Sequence, residues 1–313
     1  MNVLMLCHPY PNYVPDLLLH GLRRLLGVRA VDYPRKDVLY EGICGQPNLD
    51  KVPHLMPDDS EVDRSDIEAA LRSRFFDYVI ADVRALNDHF ALLRESACPL
   101  AIVDGEDSRF PIKPGPYVIL RRETDGSDFS IPLQMALPQE VLDWIDRHAD
   151  APKRHSIGFL GSRSSLTPDR NNMLDELSRS FPDSLVSSWS VGAEDSRIKG
   201  RDAYYRALQS CKMVLNLPGA GYDTFRYWEN AACNALHVAK AMPLLIPNDF
   251  REGLEIVRFS NPGELATIVE QVLADRVDWR GIAERSRVWL RAHHTTERRA
   301  AQVLDRLKDA FCL

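Results

Sequence analysis

Short apolar runs alternate with amphipathic helical segments along this sequence, and no other feature constrains the fold as strongly. Runs such as 2–7, 78–81, 100–103 and 117–120 have the length of strands, and apolar residues at helical spacing follow several of them. A strand that is apolar throughout is buried on both faces, which is typical of a parallel sheet covered by helices. The pattern therefore predicts an α/β protein with right-handed crossovers between its strands.

The alternation occurs in two series, which predicts two domains. The first series ends near residue 138, and a second begins with the strand-like run 157–162, which leads into a small-residue turn. Between them the pattern weakens to one short helix among polar and proline-containing segments, as at a domain boundary. We therefore expect two Rossmann-like domains that face a cleft. The expected parts are an N-terminal domain over 1–138, a linker over 139–154 and a C-terminal domain over 155–313, whose last helix is a candidate to cross back to the first domain.

Composition excludes several classes of protein. The chain has 313 residues, of which 45% are hydrophobic and 27% are charged, as in globular proteins. Its net charge of −6 argues against general binding to nucleic acids or to anionic membranes. The six cysteines form no C-x-x-C pair, and no apolar run reaches transmembrane length. These features predict a cytoplasmic protein without stable membrane insertion.

The stretch 213–230 carries the strongest indication of a ligand site. A predicted strand ends in a glycine-containing loop, and Asp223 or Thr224 can cap the helix that follows. In open α/β sheets, ligands bind at the carboxyl ends of strands, where a helix N-terminus attracts anions. Arg226 and Glu229 share one face of this helix, so one could hold a diphosphate and the other ribose hydroxyls. The alternative is a surface ion pair above core aromatic residues.

The same region resembles the C-terminal segment of GT-B glycosyltransferases, in particular glycosyl-transferase group-1-like chains related to the CgeB type. The motifs that carry the resemblance lie at 223–229, 234–236, 246–250 and 261–265. The resemblance implies a GT-B fold and a nucleotide-sugar donor, with Glu229 as the ribose-binding carboxylate and Arg226 as the diphosphate contact. Tyr222, Asp223 and Thr224, at the start of the helix, complete this side of the expected donor site.

The turn that contains Gly161 and Arg163 is the second candidate for binding the donor. It follows the first strand of the expected C-terminal domain, and turns of this kind commonly face phosphates. Arg163 is therefore a candidate contact to a phosphate or to the acceptor. An ordinary tight turn is the alternative, because the full dinucleotide-binding fingerprint is absent.

One departure from the resembling chains bears on the mechanism. Retaining members often carry a second glutamate eight residues before the ribose-binding one, and Gly221 stands at that position here. This favours inversion, in which a general base deprotonates the acceptor for a direct displacement.

Candidates for this base lie in the N-terminal half. Asp104 follows a predicted strand, where catalytic carboxylates often lie on loops. His8 follows the first strand and carries an imidazole, which transfers protons readily near neutral pH. Asp16 is a rival at the start of the next helix. Each has a structural alternative: a turn for Asp104, a helix cap for Asp16, and hydrogen bonds to loop carbonyls for His8.

No cofactor and no metal ion are expected. A D-x-D triplet, which holds a divalent ion on a donor diphosphate, does not occur in a convincing strand-end setting, and the nearest segments are 82–84 and 104–106. We therefore predict that the helix dipole and arginines neutralise the leaving diphosphate in place of a metal.

Two other classes of function stay open at this point. A nucleotide-sugar epimerase or hydrolase could use the same fold, and so could a non-catalytic protein that binds a nucleotide sugar. For the transferase, the acceptor could be a glycan, a protein, a small molecule or a modified base. The acidic net charge argues against strong non-specific binding to duplex nucleic acid.

Overall fold

The computed structural model describes residues 1–40, 56, 59–163, 167–187 and 200–311. The chain divides into two compact units. The first consists of Met1–Pro138, Leu244–Pro247 and Thr295–Leu313, and the second of Gln139–Pro243 and Asn248–His294. Within the described residues, no helix is both long and apolar enough to cross a membrane.

The first unit contains a parallel sheet that has six strands in the described part of the chain. The strands are β1 (Val3–Leu6), β2 (Ala30–Tyr33), β3 (Tyr78–Asp82), β4 (Leu100–Asp104), β5 (Tyr117–Arg121) and β6 (Ile131–Pro132). Their order across the sheet is β2-β1-β3-β4-β5-β6. All residues of β1 and β3 are buried, which explains why both read as continuous apolar runs.

The helices of the first unit come from the N-terminal part of the chain and, in one case, from its C-terminal end. They are α1 (Tyr13–Leu26), α2 (Asp37–Tyr40), α3 (Ile67–Arg72), α4 (Phe90–Glu95) and α11 (Thr296–Phe311). α1 begins after Asn12, whose side chain accepts a hydrogen bond from the backbone N–H of Val14 at 3.2 Å, and ends at Gly27, which has a φ of 62°.

The C-terminal helix α11 packs against α1. A Cβ atom at Gly21 would overlap the carbonyl group of Thr296, so the glycine permits the close approach of the two backbones. The buried His20 side chain adds a hydrogen bond of 2.9 Å between its Nδ1 and the hydroxyl of Thr296. The last helix therefore belongs to the first unit.

The second unit contains a parallel sheet with five strands in the described residues. These are β7 (His155–Leu160), β8 (Leu185–Ser187), β9 (Cys211–Asn216), β10 (Leu236–Lys240) and β11 (Val257–Phe259). Around them lie α5 (Gln139–Asp146), α6 (Pro168–Ser180), α7 (Arg201–Gln209), α8 (Phe225–Ala232), α9 (Pro262–Leu273) and α10 (Trp279–His293). Leu174 and Leu177 of α6 and Val269 of α9 pack with the apolar strands in one buried cluster. The short helix expected within 139–154 is α5, which belongs to this unit.

The second sheet runs β8-β7-β9-β10-β11, which is the order of the first five strands in the first sheet. In each, the first strand of the unit lies second from one edge; the chain adds the next strand at that edge and then continues on the other side. The reversal occurs between β1 and β3 in one sheet and between β7 and β9 in the other. Ligands of such sheets bind in the crevice at this switch point, outside the carboxyl ends of the strands. The predicted α/β class with two parallel sheets is confirmed.

Candidate functional site

The carboxyl edge of the second sheet presents loops on both sides of its switch point. β7 ends at Leu160 and turns at Gly161, whereas β9 ends at Asn216 and continues into the loop 217–222. α8 starts after this loop with Thr224 as its N-cap. The Thr224 hydroxyl accepts a hydrogen bond from the N–H of Tyr227 (3.3 Å) and donates one to the amide oxygen of Asn216 (2.7 Å). The cap thereby fixes the helix to the end of β9.

A cavity of about 410 Å³ lies at this edge. Its walls are the start of α6 from Thr167 to Arg170, the loop 217–222, and the chain that leaves β10 at Lys240. A cavity of this size at the carboxyl ends of parallel strands is the usual location of a small-molecule site. Tyr222, which was predicted to bind the donor, is exposed and lines this cavity.

Arg226 lies at the switch point, as expected for a contact to phosphate. Its Nε donates a hydrogen bond to the carbonyl oxygen of Leu160 at 2.8 Å, and its guanidinium stacks 4.5 Å from the ring centre of Phe159. The side chain is partly exposed, and none of the described carboxylates forms an ion pair with it. Its remaining N–H groups are therefore available to an anion.

Gly161 is the residue that lets Arg226 occupy this position. A Cβ atom at residue 161 would overlap the Arg226 guanidinium. We expect Gly161→Ala to displace the guanidinium and to weaken nucleoside-diphosphate binding by about tenfold, since one charged hydrogen-bonding group is misplaced. The fold should tolerate the change because only the flexible end of a side chain must move. Calorimetric titration with a panel of nucleoside diphosphates, beside a thermal unfolding curve of the same sample, measures both effects; unchanged affinity would contradict this role of Gly161.

Arg170, in the first turn of α6, is a second cation at the same edge that sequence reasoning missed. Its Nη1 donates a hydrogen bond to the carbonyl oxygen of Pro218 at 3.4 Å, and the residue lines the cavity. Burial and the nearby charge of Arg226 lower the pKa of Arg170. Among the described residues, no carboxylate pairs with either arginine, so two like charges lie close together without compensation.

Arg163 was expected to contact phosphate but lies in a different environment. Its Nη1 forms an ion pair of 2.6 Å with Asp175 on the exposed side of α6. A surface pair of this kind is weak, so the arginine could exchange partners at little energetic cost. In the structure, however, Arg163 is not among the residues that line the cavity.

Glu229 lies in the interior, contrary to the expectation that it shares an accessible face with Arg226. Its relative exposure is 0%, and its two carboxylate oxygens accept hydrogen bonds from the hydroxyls of Tyr204 (3.0 Å) and Tyr205 (2.8 Å). The carboxylate also helps to raise the pKa of both buried tyrosines, after the larger effect of burial itself. The structure therefore gives Glu229 a packing environment rather than the open position that a ribose contact requires.

Asp223 is also turned inward. It is 1% exposed and accepts a hydrogen bond of 2.8 Å from the indole Nε1 of the buried Trp228. This hydrogen bond links the residue before α8 to an aromatic side chain of the same helix. Of the five residues predicted between 222 and 229, Tyr222 and Arg226 face the edge, Thr224 caps the helix, and Asp223 and Glu229 are interior.

Asp104, the first candidate for the catalytic base, is a buried ion-pair partner. It is 1% exposed; its Oδ2 accepts hydrogen bonds from the Arg121 guanidinium (2.6 Å) and from the backbone N–H of Phe110 (2.9 Å). Burial raises the pKa of Asp104, whereas Arg121 acts in the opposite direction. A buried carboxylate cannot contact an acceptor, so this geometry does not support Asp104 as the base.

His8 is partly exposed just after β1, on a loop whose carbonyl groups accept hydrogen bonds from a buried lysine. The Nζ of Lys36 donates hydrogen bonds to the carbonyl oxygens of His8 (2.6 Å) and Tyr10 (3.0 Å) and forms a buried ion pair with Asp16 (2.9 Å). The rival Asp16 is thus engaged in a structural role. The His8 Nδ1 accepts a hydrogen bond from the N–H of Tyr10 at 3.2 Å, which leaves the proton of the neutral ring on Nε2. The identity of the base stays a prediction.

Several cations near the strand ends of the first unit are compensated, unlike Arg170 and Arg226 of the second. Five basic residues each pair with a carboxylate at 2.6–2.9 Å: Lys36 with Asp16, Arg64 with Asp32, Arg84 with Asp82, Arg121 with Asp104, and Arg122 with Asp107. An anionic ligand would have to compete with these carboxylates. The two sheets share a topology but differ in the charge available at their carboxyl edges.

No group of three or more His, Cys, Asp or Glu residues is placed to hold a metal ion in the part of the chain that the structure describes. The expectation of metal independence is not tested by this observation and stays a prediction.

Comparison with known proteins identifies the segment that contains most of this site. Residues 169–305, from α6 into α11, match the Glycosyl transferase-like family. The match covers 137 of the 313 residues, so it is a likeness of this segment to that family. The segment contains Arg170, Arg226 and the end of β10, whereas Gly161 and Arg163 precede it. No curated protein matches the sequence significantly.

Several solved structures, two of them described as glycosyltransferases, share the fold over almost the full length of the chain. Alr3699/HepE of Anabaena, in complex with UDP-glucose, is 15% identical with a TM-score of 0.60, and the match covers 99% of this chain and 100% of that one. A glycosyltransferase from Rickettsia africae ESF-5 is 10% identical with a TM-score of 0.60 and 98% coverage of both chains. AviGT4, a glycosyltransferase involved in Avilamycin A biosynthesis, is 12% identical with a TM-score of 0.53 and covers 98% and 97%.

At these identities the likeness establishes the fold. Together with the family match over 169–305, it confirms the predicted α/β architecture of the GT-B type. The narrower resemblance to the CgeB type is not confirmed by any of these matches.

Proposed function

We propose that this protein transfers a sugar from a UDP-sugar donor to an acceptor hydroxyl or amine, and that the carboxyl edge of the second sheet holds the donor diphosphate. The observation that carries the proposal is the pair of uncompensated arginines, Arg170 and Arg226, at the switch point of this sheet. Buried or partly buried charges of one sign are unfavourable unless a counter-charge is supplied. A diphosphate supplies it.

The contrast with the first unit supports this choice of sheet. There the basic side chains at the strand ends already have carboxylate partners, as Arg121 has Asp104 at 2.6 Å. A diphosphate gains charge-assisted hydrogen bonds where the donors are free, and gains little where an internal carboxylate must first be displaced. UDP is chosen as the nucleotide because HepE, which has the same fold over its full length, is described in complex with UDP-glucose.

The same arrangement suits the chemistry of glycosyl transfer. The bond between the sugar C1 and the diphosphate oxygen breaks, the acceptor oxygen or nitrogen forms a new bond to C1, and the acceptor proton passes to a base. Negative charge develops on the leaving UDP, where Arg170 and Arg226 would stabilise it without a metal ion. The loop that lines the cavity has Gly221 at the position where retaining enzymes often carry a glutamate. The lack of a carboxylate there supports a single inverting displacement over a retaining mechanism.

The proposal predicts that UDP stabilises the folded protein. At a hundred times its dissociation constant, UDP should raise the free energy of unfolding by about 2.7 kcal/mol, which is visible as an upward shift of the thermal midpoint. UMP is the matched control, because it lacks the second phosphate and should give a smaller shift. No shift with UDP would contradict the proposed donor site.

Turnover is then followed with UDP-sugars and a panel of acceptors in the presence of EDTA. We expect UDP release that depends on an acceptor and persists when divalent metal is removed. Free sugar released without an acceptor would indicate a hydrolase, and an isomerised donor would indicate an epimerase. UDP binding without any turnover would indicate a non-catalytic protein.

A further inference from the structure

Three cations lie at the carboxyl ends of three neighbouring strands in the second unit. Arg226 is bonded to the last carbonyl of β7, Arg170 is bonded to the loop just after β9, and Lys240 is the last residue of β10. In the sheet, β9 lies between β7 and β10. Since adjacent strands are about 4.8 Å apart, the row of strand ends spans about 10 Å.

Lys240 has no evident structural function. It is partly buried and lines the cavity, yet none of the described carboxylates forms an ion pair with it. Among the described residues that line the cavity there is one carboxylate, Asp169, which is exposed in the first turn of α6. Arg170 and Lys240 therefore leave the cavity with an excess of positive charge.

A diphosphate can use only part of this row. Its two phosphates are adjacent, so they suit the two arginines that flank the switch point between β7 and β9. Lys240 lies one strand further along, on the far side of Arg170. The same cavity extends from Arg170 to Lys240 and to the loop 217–222, which leaves room beside Lys240 for the sugar.

We propose that Lys240 selects donors whose sugar carries a carboxylate, that is, UDP-hexuronic acids. This inference rests on the proposed function, because it assumes that the diphosphate occupies Arg170 and Arg226. A lysine ammonium in a partly desolvated wall attracts a carboxylate more strongly than the neutral hydroxymethyl group of a hexose. With the diphosphate on the two arginines, a sugar carboxylate would give the Lys240 ammonium a direct partner, which a neutral sugar does not supply.

The test compares UDP-glucose with UDP-glucuronate, which differ only at C6. Calorimetric titration of the wild-type protein should show about tenfold tighter binding of UDP-glucuronate, as expected for one additional charge-assisted hydrogen bond. Lys240→Met should bring the ratio of the two affinities close to one. Lys212→Met is the matched control: it removes the same charge near the amino end of β9, at the opposite edge of the sheet, and should preserve the tenfold ratio.

The possible outcomes separate this inference from the proposed function. A wild-type protein that binds UDP but does not prefer UDP-glucuronate overturns the assignment of Lys240 and leaves the donor site intact. Retention of the preference in Lys240→Met overturns it as well. Absence of any UDP binding overturns the proposed function itself. Because the readout is a ratio measured on one protein sample, a partly unfolded variant does not imitate the expected result.

Discussion

Arg170→Met and Arg226→Met are each expected to weaken UDP binding by roughly 10- to 100-fold. A hydrogen bond between charged groups contributes about 1.5–3 kcal/mol, and each variant removes one cationic group from the switch point. Methionine keeps most of the apolar stem and removes only the guanidinium, including its stacking on Phe159 in the case of Arg226. Calorimetric titration with UDP at fixed, moderate salt measures the effect, because salt screens such contacts.

The matched control is Arg276→Ala, which removes the same charge from an exposed position of the second unit. It should change the affinity for UDP by less than about twofold, since the charge is remote from the strand ends and screened by solvent.

The stability of the arginine variants provides a second readout. Without ligand, the free energy of unfolding of Arg170→Met should lie within about 0.5 kcal/mol of the wild-type value. The reason is that no ion pair with a described carboxylate is lost, while repulsion with Arg226 is relieved. Wild-type affinity in both arginine variants would exclude the switch point as the diphosphate site.

Glu229→Ala is expected to lower the free energy of unfolding by about 2–5 kcal/mol. The substitution leaves the buried hydroxyls of Tyr204 and Tyr205 without their acceptor, and each unsatisfied polar group costs about 1–3 kcal/mol. Glu229→Gln should cost less, because the amide keeps one oxygen acceptor and nearly the same shape. Urea unfolding of the isolated variants measures the difference.

Glu270→Ala is the control for this experiment, because Glu270 is exposed on α9 and its loss should change stability by less than about 0.5 kcal/mol. The result also decides between two interpretations of Glu229. A variant with wild-type stability and greatly reduced UDP affinity would restore the ribose contact implied by the family resemblance. A destabilised variant whose folded fraction still binds UDP would establish the structural function seen here.

These two experiments test where the proposed donor site is centred. The resemblance implied one helix, α8, as the holder of both diphosphate and ribose. The structure keeps Arg226 at the edge but turns Asp223 and Glu229 inward, and it adds Arg170 from α6 and Lys240 from β10. The proposed site is therefore spread over the ends of three neighbouring strands rather than along one face of a helix.

The sequence by itself determined the longer helices and strands and the class of fold, because these depend on neighbours along the chain. Apolar runs four to six residues long became strands, as 100–103 became most of β4, and the predicted cap at Thr224 is formed. The glycine-containing loop after β9 and the turn after β7 were also recognisable, since a strand end followed by small residues is a local pattern. The short edge strands β6 and β11 were not predicted, because two or three residues carry too little periodicity.

Only the tertiary structure decided which charged groups are free to bind. Asp104 is neutralised by a residue 17 positions away, Arg226 is held by a carbonyl 66 positions away, and Arg170 reaches a loop 48 positions away. No local pattern contains such pairings, because they arise when strands that are distant in the sequence become neighbours in a sheet. The same physical reason explains Glu229: helical spacing assigns residues to faces, but the tyrosines of α7 determine that its face is interior.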